Sequence, residues 1–314
     1  MQIDYKTLPI IACPVCSCDH FKIITHRFDS GQIVKCSNCR HIYLNPMLTN
    51  TILGEIYEGY HLTDNQDKLI KQIEEWFNDP KGQYKYSLNY VEQNGGFKNK
   101  NILEVGCGPG RFLFECKKMG AHVTGLDISP GAVQLAKLKY GLDLLPLTLN
   151  QALNSKSIQK KTFDIIFAFE IIEHVQNPVE FLKDIYDVLT IGGKFFISTP
   201  NFELYYLMGS SAPAVNQWTE HIHFFCYDNL NRILNQCGFT QISITSLNNL
   251  EYGDRIKHKM AKKSFVNNIW KILRKIRLFY YFKNLLFSAL NKNKMKEDCL
   301  SLNGTTLLSI AMKE

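Results

Sequence analysis

The sequence has no apolar run long enough to cross a bilayer. Towards the C-terminus the longest unbroken stretch is Leu278–Phe282, against the ~20 residues that a spanning helix needs. Met1 to Ile11 contains Asp4 and Lys6 and no apolar core, so no secretory leader is read there. Internal repeats and low-complexity tracts are also missing, which sets aside solenoid and disordered classes. One stretch lacks charge of a single sign: Arg255 to Lys296 holds 13 Lys/Arg and no Asp or Glu. The net charge of +7, less the +13 of that window, leaves −6 for the rest. The basic character is therefore local and points to a local anionic partner rather than to general coating of nucleic acid.

What is present describes a globular enzyme-sized chain: 314 residues, 45% hydrophobic and 21% charged, enough for one catalytic core and smaller elements. Ten cysteines without a leader suggest thiols and metal binding rather than disulfides, and a cytoplasmic address. Residues 1–47 hold paired cysteines and short β-like runs, Phe21–Thr25 and Gln32–Lys35. Residues 48–98 look helical, with apolar spacing through Ile52, Ile56, Leu69, Ile73, Trp76 and Phe77. From Asn101 strand and helix alternate: strands Asn101–Val105, His122–Asp127, Leu142–Leu147, Phe163–Phe169, Phe195–Thr199 and Phe239–Ser246, and helices Arg111–Met119, Gly131–Tyr140, Pro178–Leu189 and Asp228–Cys237. Asn177-Pro178 opens the third helix, and Gly192-Gly193 stops it. A last strand, Gly304–Met312, follows the basic segment. This alternation predicts a mostly parallel sheet covered on both faces. The expected division is 1–47, 48–98, a core over 99–250, a basic insertion over 251–299, and 300–314 returning to the core.

Three clusters carry chemistry. Glu104-Val-Gly-Cys-Gly-Pro-Gly110 follows a strand and opens a helix; its glycines let the backbone turn sharply and meet a ligand closely. The spacing is not that of dinucleotide loops. An acidic residue two positions before the first glycine suits a cationic ligand better than a pyrophosphate. Asp127 ends the next strand, where a carboxylate can accept ribose hydroxyls. These residues resemble the first motif and following acidic position of class I methyltransferases, and the resemblance covers about 99–250 and the final strand. It implies an α/β, Rossmann-like sheet that binds S-adenosyl-L-methionine, with Glu104, Gly106, Cys107, Gly108, Gly110, Asp127, Ile128 and Glu170 as the cofactor-binding set. The family's Asp-x-x-x-Leu-Pro adenine contact is missing, and Asn150-Gln151 stands there.

The second cluster, Glu170-Ile-Ile-Glu173-His174, follows a buried-looking strand. On a helical turn its three polar side chains would share one side. It looks like the fourth motif of 3-demethylubiquinone O-methyltransferase-type enzymes, in some of which the matching residues hold a divalent metal. A divalent ion on Glu170, Glu173 and His174 is one reading, a general base another, and a capped, packed turn a third. Further base candidates are His221 and His223, which on an extended segment would face one way. The expected catalytic set is thus Glu173, His174, His221 and His223.

The third is Cys13-x-x-Cys16 with Cys36-x-x-Cys39, the donor set and spacing of a structural, closed tetrahedral Zn²⁺ site. Ser17 and Arg40 occupy the positions just past each pair where zinc ribbons often carry glycine, and Cys18 and His20 are alternative ligands. A zinc ribbon in front of the core raises an RNA methyltransferase as rival, but residues 13–45 carry a net charge of only +2, and the Asn/Asp-Pro-Pro-Tyr signature is missing. A non-catalytic zinc-binding protein is a further alternative. The acceptor expected is a small molecule, a sugar or a lipid-linked compound, methylated at oxygen. In the basic insertion, Phe265, Ile269, Ile272, Leu273, Ile276 and Tyr280 share a helical face opposite Lys271, Arg274 and Lys275. Over 255–296 this gives either peripheral contact with an anionic membrane or a lid packed on the core.

Overall fold

The computed structural model describes residues 3–61, 66–209, 215, 218–247 and 306–314. The basic insertion 251–299, with its 255–296 window, lies outside the described residues. Three short strands come first: β1 (Phe21–His26), β2 (Gln32–Cys36) and β3 (Ile42–Leu44), an antiparallel meander. Their Ile, Val and Thr content suits a half-buried pleat. Ser17 and Arg40 both take left-handed backbone, with φ of +58° and +64°, so these two positions have the geometry that glycine usually serves.

Helices α1 (Asn50–His61), α2 (Gln66–Asn78) and α3 (Gln83–Gln93) follow. The main body then runs β4 (Asn101–Val105), α4 (Arg111–Lys118), β5 (His122–Leu126), α5 (Pro130–Tyr140), α6 (Leu149–Asn154), β6 (Phe163–Phe169), α7 (Pro178–Val188), β7 (Leu189–Pro200), α8 (Glu203–Met208), β8 (His223–Phe224), α9 (Tyr227–Gln236), β9 (Thr240–Leu247) and β10 (Thr306–Met312). The large sheet has the order β5-β4-β6-β7-β10-β9. Its first four strands are parallel, and β10 runs antiparallel to both neighbours. The α/β, Rossmann-like expectation holds.

Two details differ from the sequence reading. Leu142–Leu147 makes a single bridge, Leu126 with Leu145, because Pro146 follows at once and has no N–H to extend a ladder. Gly192-Gly193 does not stop α7. That helix ends at Val188, and the glycines lie inside β7, where the pairing with β6 slips between Phe163 and Ile165.

The cysteine-rich meander is not a separate bead. β8 comes from the far end of the main body and adds to it as a fourth strand, pairing Tyr43 with His223 and Ile42 with Phe224. Ile33, Val34, Tyr43 and Leu44 share one buried apolar cluster with Val105, Ile166, Ile197 and Leu230. The opposite face of the large sheet packs Ile102, Phe167, Phe196 and Leu308 against Phe112 of α4 and Leu88 and Val91 of α3. β5 and β6 flank β4 on opposite sides, so the chain's direction of winding reverses there, and a crevice opens at the C-terminal strand ends. Among the described residues no helix is long and apolar enough to cross a membrane.

Candidate active site

β4 delivers Glu104 to that crevice, and the chain then turns through Gly106, Gly108 and Gly110 at φ of +68°, +51° and +77°. A Cβ on Gly106 would lie 2.0 Å from Ile171 Cδ1, so the turn packs too closely for alanine. At Gly108 a Cβ would meet nothing within 4 Å, so its backbone faces open space. Asp127, just past β5, ties the loop down: its Oδ2 accepts the Gly108 N–H at 2.7 Å and its Oδ1 the Ser129 N–H at 2.9 Å. Glu104 is buried, and its Oε2 has no hydrogen-bond partner. Burial, then the Asp127 charge, pushes its carboxyl well above the usual range. A desolvated carboxylate without a partner is relieved by a nearby cation, so the loop fits a positively charged ligand.

A cavity of about 290 Å³ extends from this loop. Gly106, Cys107 and Gly108 border it on one side, Trp76, Phe77, Gln83 and Tyr84 from α2 and α3 cover it, and Glu170, His174, Trp218, Glu220 and His221 close the far side. Arg111 in its lining is paired, with Glu74 Oε1 at 2.8 Å and Glu115 Oε2 at 3.0 Å, and lies over the Phe77 ring at 3.7 Å. Those contacts pin α2 to α4. Gly110 caps α4 behind the loop. Asp127 and Ile128 lie beyond the cavity on the same edge, and Ile128 is 47% exposed, an apolar surface open beside the loop. Asn150 and Gln151 sit in α6, where the Gln151 side chain closes a capping box with Thr148.

The Glu-x-x-Glu-His segment is a turn rather than a helix. Glu170 adopts φ +55° and accepts a hydrogen bond from Ser198 Oγ at 2.9 Å; burial raises its pKa to about 7. Its carboxylate is not part of the compact donor group that the other two enter. Glu173, His174 and His221 instead come together, with potential ligand atoms within 4.8 Å of one another. Glu173 is 1% exposed, its carboxylate oxygens have no hydrogen-bond partner, and one lies 3.7 Å from His174 Nε2. The His174 and His221 rings stand nearly perpendicular, with centroids 4.7 Å apart. Burial lowers the His174 pKa to about 4 and also depresses that of His221, to which the charges of His174 and Arg27 add. Both rings are therefore neutral at pH 7.

His223 is elsewhere. Its Nδ1 lies 3.0 Å from His41 Nε2 in a buried pair, and it does not line the cavity. The expectation of a shared face fails because strand pairing begins only at His223; His221 precedes it and is turned the other way.

At the turn between β2 and β3, Cys13 Sγ lies 3.4 Å from Cys39 Sγ and Cys16 Sγ 3.6 Å from Cys36 Sγ. All four sulfurs fall within 4.8 Å of one another. Zn–S bonds of about 2.3 Å in a tetrahedron need sulfurs about 3.8 Å apart, so the cluster fits zinc. Cys18 stands outside it, with its thiol directed to the His20 carbonyl.

Sequence reasoning missed Trp218, Glu220 and the aromatic cover of α2 and α3 as cavity residues, and Arg27 and His41 as their supports. The aromatic spacing of α2 was visible, but its neighbour was not. For Arg27 no local signal exists.

A family model described as a methyltransferase domain matches residues 80–244, a little over half of the chain. The chain belongs to the methyltransferase family. A ubiquinone biosynthesis O-methyltransferase of Shewanella pealeana is 32% identical over 148 residues, covering 44% of this chain and 62% of the relative. The chain thus spans about three fifths of the length of the curated relatives it matches. Among solved structures, a methyltransferase bound to the Trm112 activator of Haloferax volcanii superposes with a TM-score of 0.52 at 14% identity, over 82% of this chain and 96% of that one. Phosphoethanolamine N-methyltransferase 2 of Haemonchus contortus gives 0.50 at 16%, over 87% and 62%. The likeness to the solved structures is one of fold. The glycine loop and Glu104 lie at the C-terminal strand ends, at the reversal beside β4, where open α/β sheets bind ligands.

Proposed function

We propose that the protein transfers a methyl group from S-adenosyl-L-methionine to oxygen on a small-molecule, sugar or lipid-linked acceptor. One observation carries this reading: an open glycine backbone and an unpartnered buried Glu104 share a single cavity with His174 and His221. The curated relatives named O-methyltransferases of ubiquinone biosynthesis support oxygen and a lipid-linked or quinone-like acceptor.

Bound S-adenosylmethionine would supply an already activated sulfonium methyl, so the chain's task is alignment and proton removal. Glu104, Gly106, Cys107, Gly108 and Gly110 would hold the methionine part. Asp127, whose oxygens accept the Gly108 and Ser129 N–H groups, would accept a ribose hydroxyl when the cofactor is bound, and Ile128 offers apolar cover to the base. Glu170, held by Ser198, faces the cavity beside the reacting groups. His174 and His221, kept neutral by burial, can accept the acceptor's proton, and Glu173, whose carboxyl is pushed well above the usual range by burial and the nearby Glu170, lies 3.7 Å from His174 to orient it. His223 acts on the wall through His41. The four cysteines would hold one structural zinc with no open position, in a 1–47 unit built onto the 99–250 core.

A second reading has one observation in its favour: Glu173, His174 and His221 form a compact donor set suited to a divalent ion. Metal analysis separates the two, with one metal per chain for the base reading and two for this one.

The experiment is transfer of labelled methyl from S-adenosylmethionine to fractionated cell extract. Label is expected in the small-molecule or lipid fraction and lost with His174→Ala. Label confined to RNA would make the protein an RNA methyltransferase, and no transfer to any fraction would leave the non-catalytic alternative standing. Flotation with anionic vesicles, with and without residues 255–296, tests the peripheral membrane contact that the charge of that window suggests. Equal recovery rejects it.

A further inference from the structure

The stretch from Trp218 to Phe224 serves two regions at once. Trp218, Glu220 and His221 line the cavity, and the Trp218 and His221 rings lie 6.1 Å apart. The backbone of the same stretch is held by the cysteine-rich module. Leu44 N–H donates to the Ile222 carbonyl at 2.8 Å, Tyr43 pairs with His223, and His41 meets His223. From the main body, the Glu173 carbonyl accepts the N–H groups of Ile222 and His223 at 2.9 and 3.0 Å.

Arg27 is the strongest of these links. Its side chain is completely enclosed, and all five of its N–H donors have work. Nε and Nη2 bond Asp29 at 2.9 and 2.6 Å, and Nη2 also reaches the Tyr5 hydroxyl. Nη1 donates to the His221 carbonyl at 2.7 Å and reaches the Trp218 carbonyl at 3.5 Å. Three donors are thus fixed inside the module and two are presented to the cavity segment. The charge is neutralised by Asp29 on the module's own side. A planar guanidinium held this way arrives with its direction already set, and carbonyl groups bonded to it gain more than from a neutral donor.

We propose that Arg27 is a positioning residue of the cavity, which acts through Trp218 and His221 and makes the cysteine-rich module part of the site's wall. The proposal rests on reading the cavity as the place of methyl transfer. Cys36 and Cys39 bracket the turn between β2 and β3, so zinc held by the four cysteines would fix that turn and with it the register in which His41–Leu44 meet β8.

The test uses the full-length, zinc-loaded protein labelled with 5-fluorotryptophan, which places one ¹⁹F nucleus at each of Trp76, Trp218 and Trp270. Arg27→Ala is expected to shift or broaden the Trp218 resonance, with zinc content unchanged and S-adenosylhomocysteine affinity within about threefold of wild type, under 1 kcal/mol. Arg27→Lys keeps a donor for the His221 carbonyl but not the fork, and is expected to restore the resonance part-way. Methyl transfer into the active fraction should fall about 100-fold in Arg27→Ala, the scale of a displacement of about 1 Å, while half-saturation by S-adenosylmethionine stays the same. An unmoved Trp218 resonance with zinc retained overturns the proposal. If Arg27→Ala loses its zinc, Arg27→Lys decides, and an unmoved resonance there overturns it equally. If wild type fails to bind S-adenosylhomocysteine, the functional reading falls, while the fluorine spectrum still decides whether Arg27 sets the wall.

Discussion

The two sides of the cavity are built by opposite routes. The glycine-loop side comes from neighbours in sequence: β4, the loop, α4 and the end of β5 lie within residues 101–128, and the bond from Gly108 to Asp127 spans 19 positions. The facing wall is assembled from the turn after β6, the segment at 218–224 and the cysteine-rich module, and the bond from Arg27 to His221 spans 194 positions. A local device keeps its geometry when distant parts of the chain change. A wall made of remote pieces holds only while each piece is folded, so the module's cysteine cluster and the facing wall should respond together while the loop does not.

The largest effect expected is on the module. Cys13→Ser with Cys16→Ser should remove the zinc, and structural zinc supplies on the order of 10 kcal/mol to a small unit. Metal analysis should fall from one zinc per chain to none, and amide exchange at 218–224 should rise well before exchange in β4. Uniform exchange across both regions would break the comparison.

Next is the chemistry at the wall. His174→Ala and His221→Ala should each lower the turnover rate by about 10²–10⁴, the range for a lost general base, with cofactor affinity retained. Equal loss of cofactor affinity would place these histidines on the loop side instead.

Within the loop, two glycines separate packing from ligand contact. Gly106→Ala drives a methyl into Ile171 and should cost about 1–3 kcal/mol of stability by overpacking on top of about 1–2 kcal/mol for a left-handed residue, read as a lower melting temperature. Gly108→Ala meets open space, so it should cost only the 1–2 kcal/mol of a left-handed residue yet weaken cofactor binding more than Gly106→Ala does per unit of stability lost.

The smallest effect is the acid limb of Asp29. Burial raises its pKa, but Arg27, Tyr5 and the Gly31 N–H outweigh it and hold the folded-state value below the ordinary carboxylate range. Stability from this group is therefore complete above the unfolded pKa and is lost as pH falls through the folded one. Asp29→Asn should melt below wild type at pH 7, and the gap should close below about pH 4. A gap independent of pH would remove the charge from the account of Arg27.

The same contrast explains what could be read from the chain. The glycine loop, Asp127 and the cysteine pairs are short-range patterns whose physics is local; even the left-handed positions Ser17 and Arg40 follow from the pairs they close. The wall is different. Pairing of β3 with β8, the burial of Arg27 and the meeting of His174 with His221 depend on which surfaces touch after folding, and periodicity carries no trace of that. Glu170 shows the limit most sharply: spacing grouped it with Glu173 and His174, but its carboxylate bonds Ser198 and is not part of their compact donor group, where His221 takes its place.

We propose that the glycine loop binds S-adenosylmethionine in the cavity that His174 and His221 close. A calorimetric titration of wild type, His221→Ala and Gly106→Arg with S-adenosylmethionine tests it directly. One site per chain is expected in wild type and in His221→Ala, and no heat of binding in Gly106→Arg. Equal binding by all three proteins, or none by wild type, would contradict it.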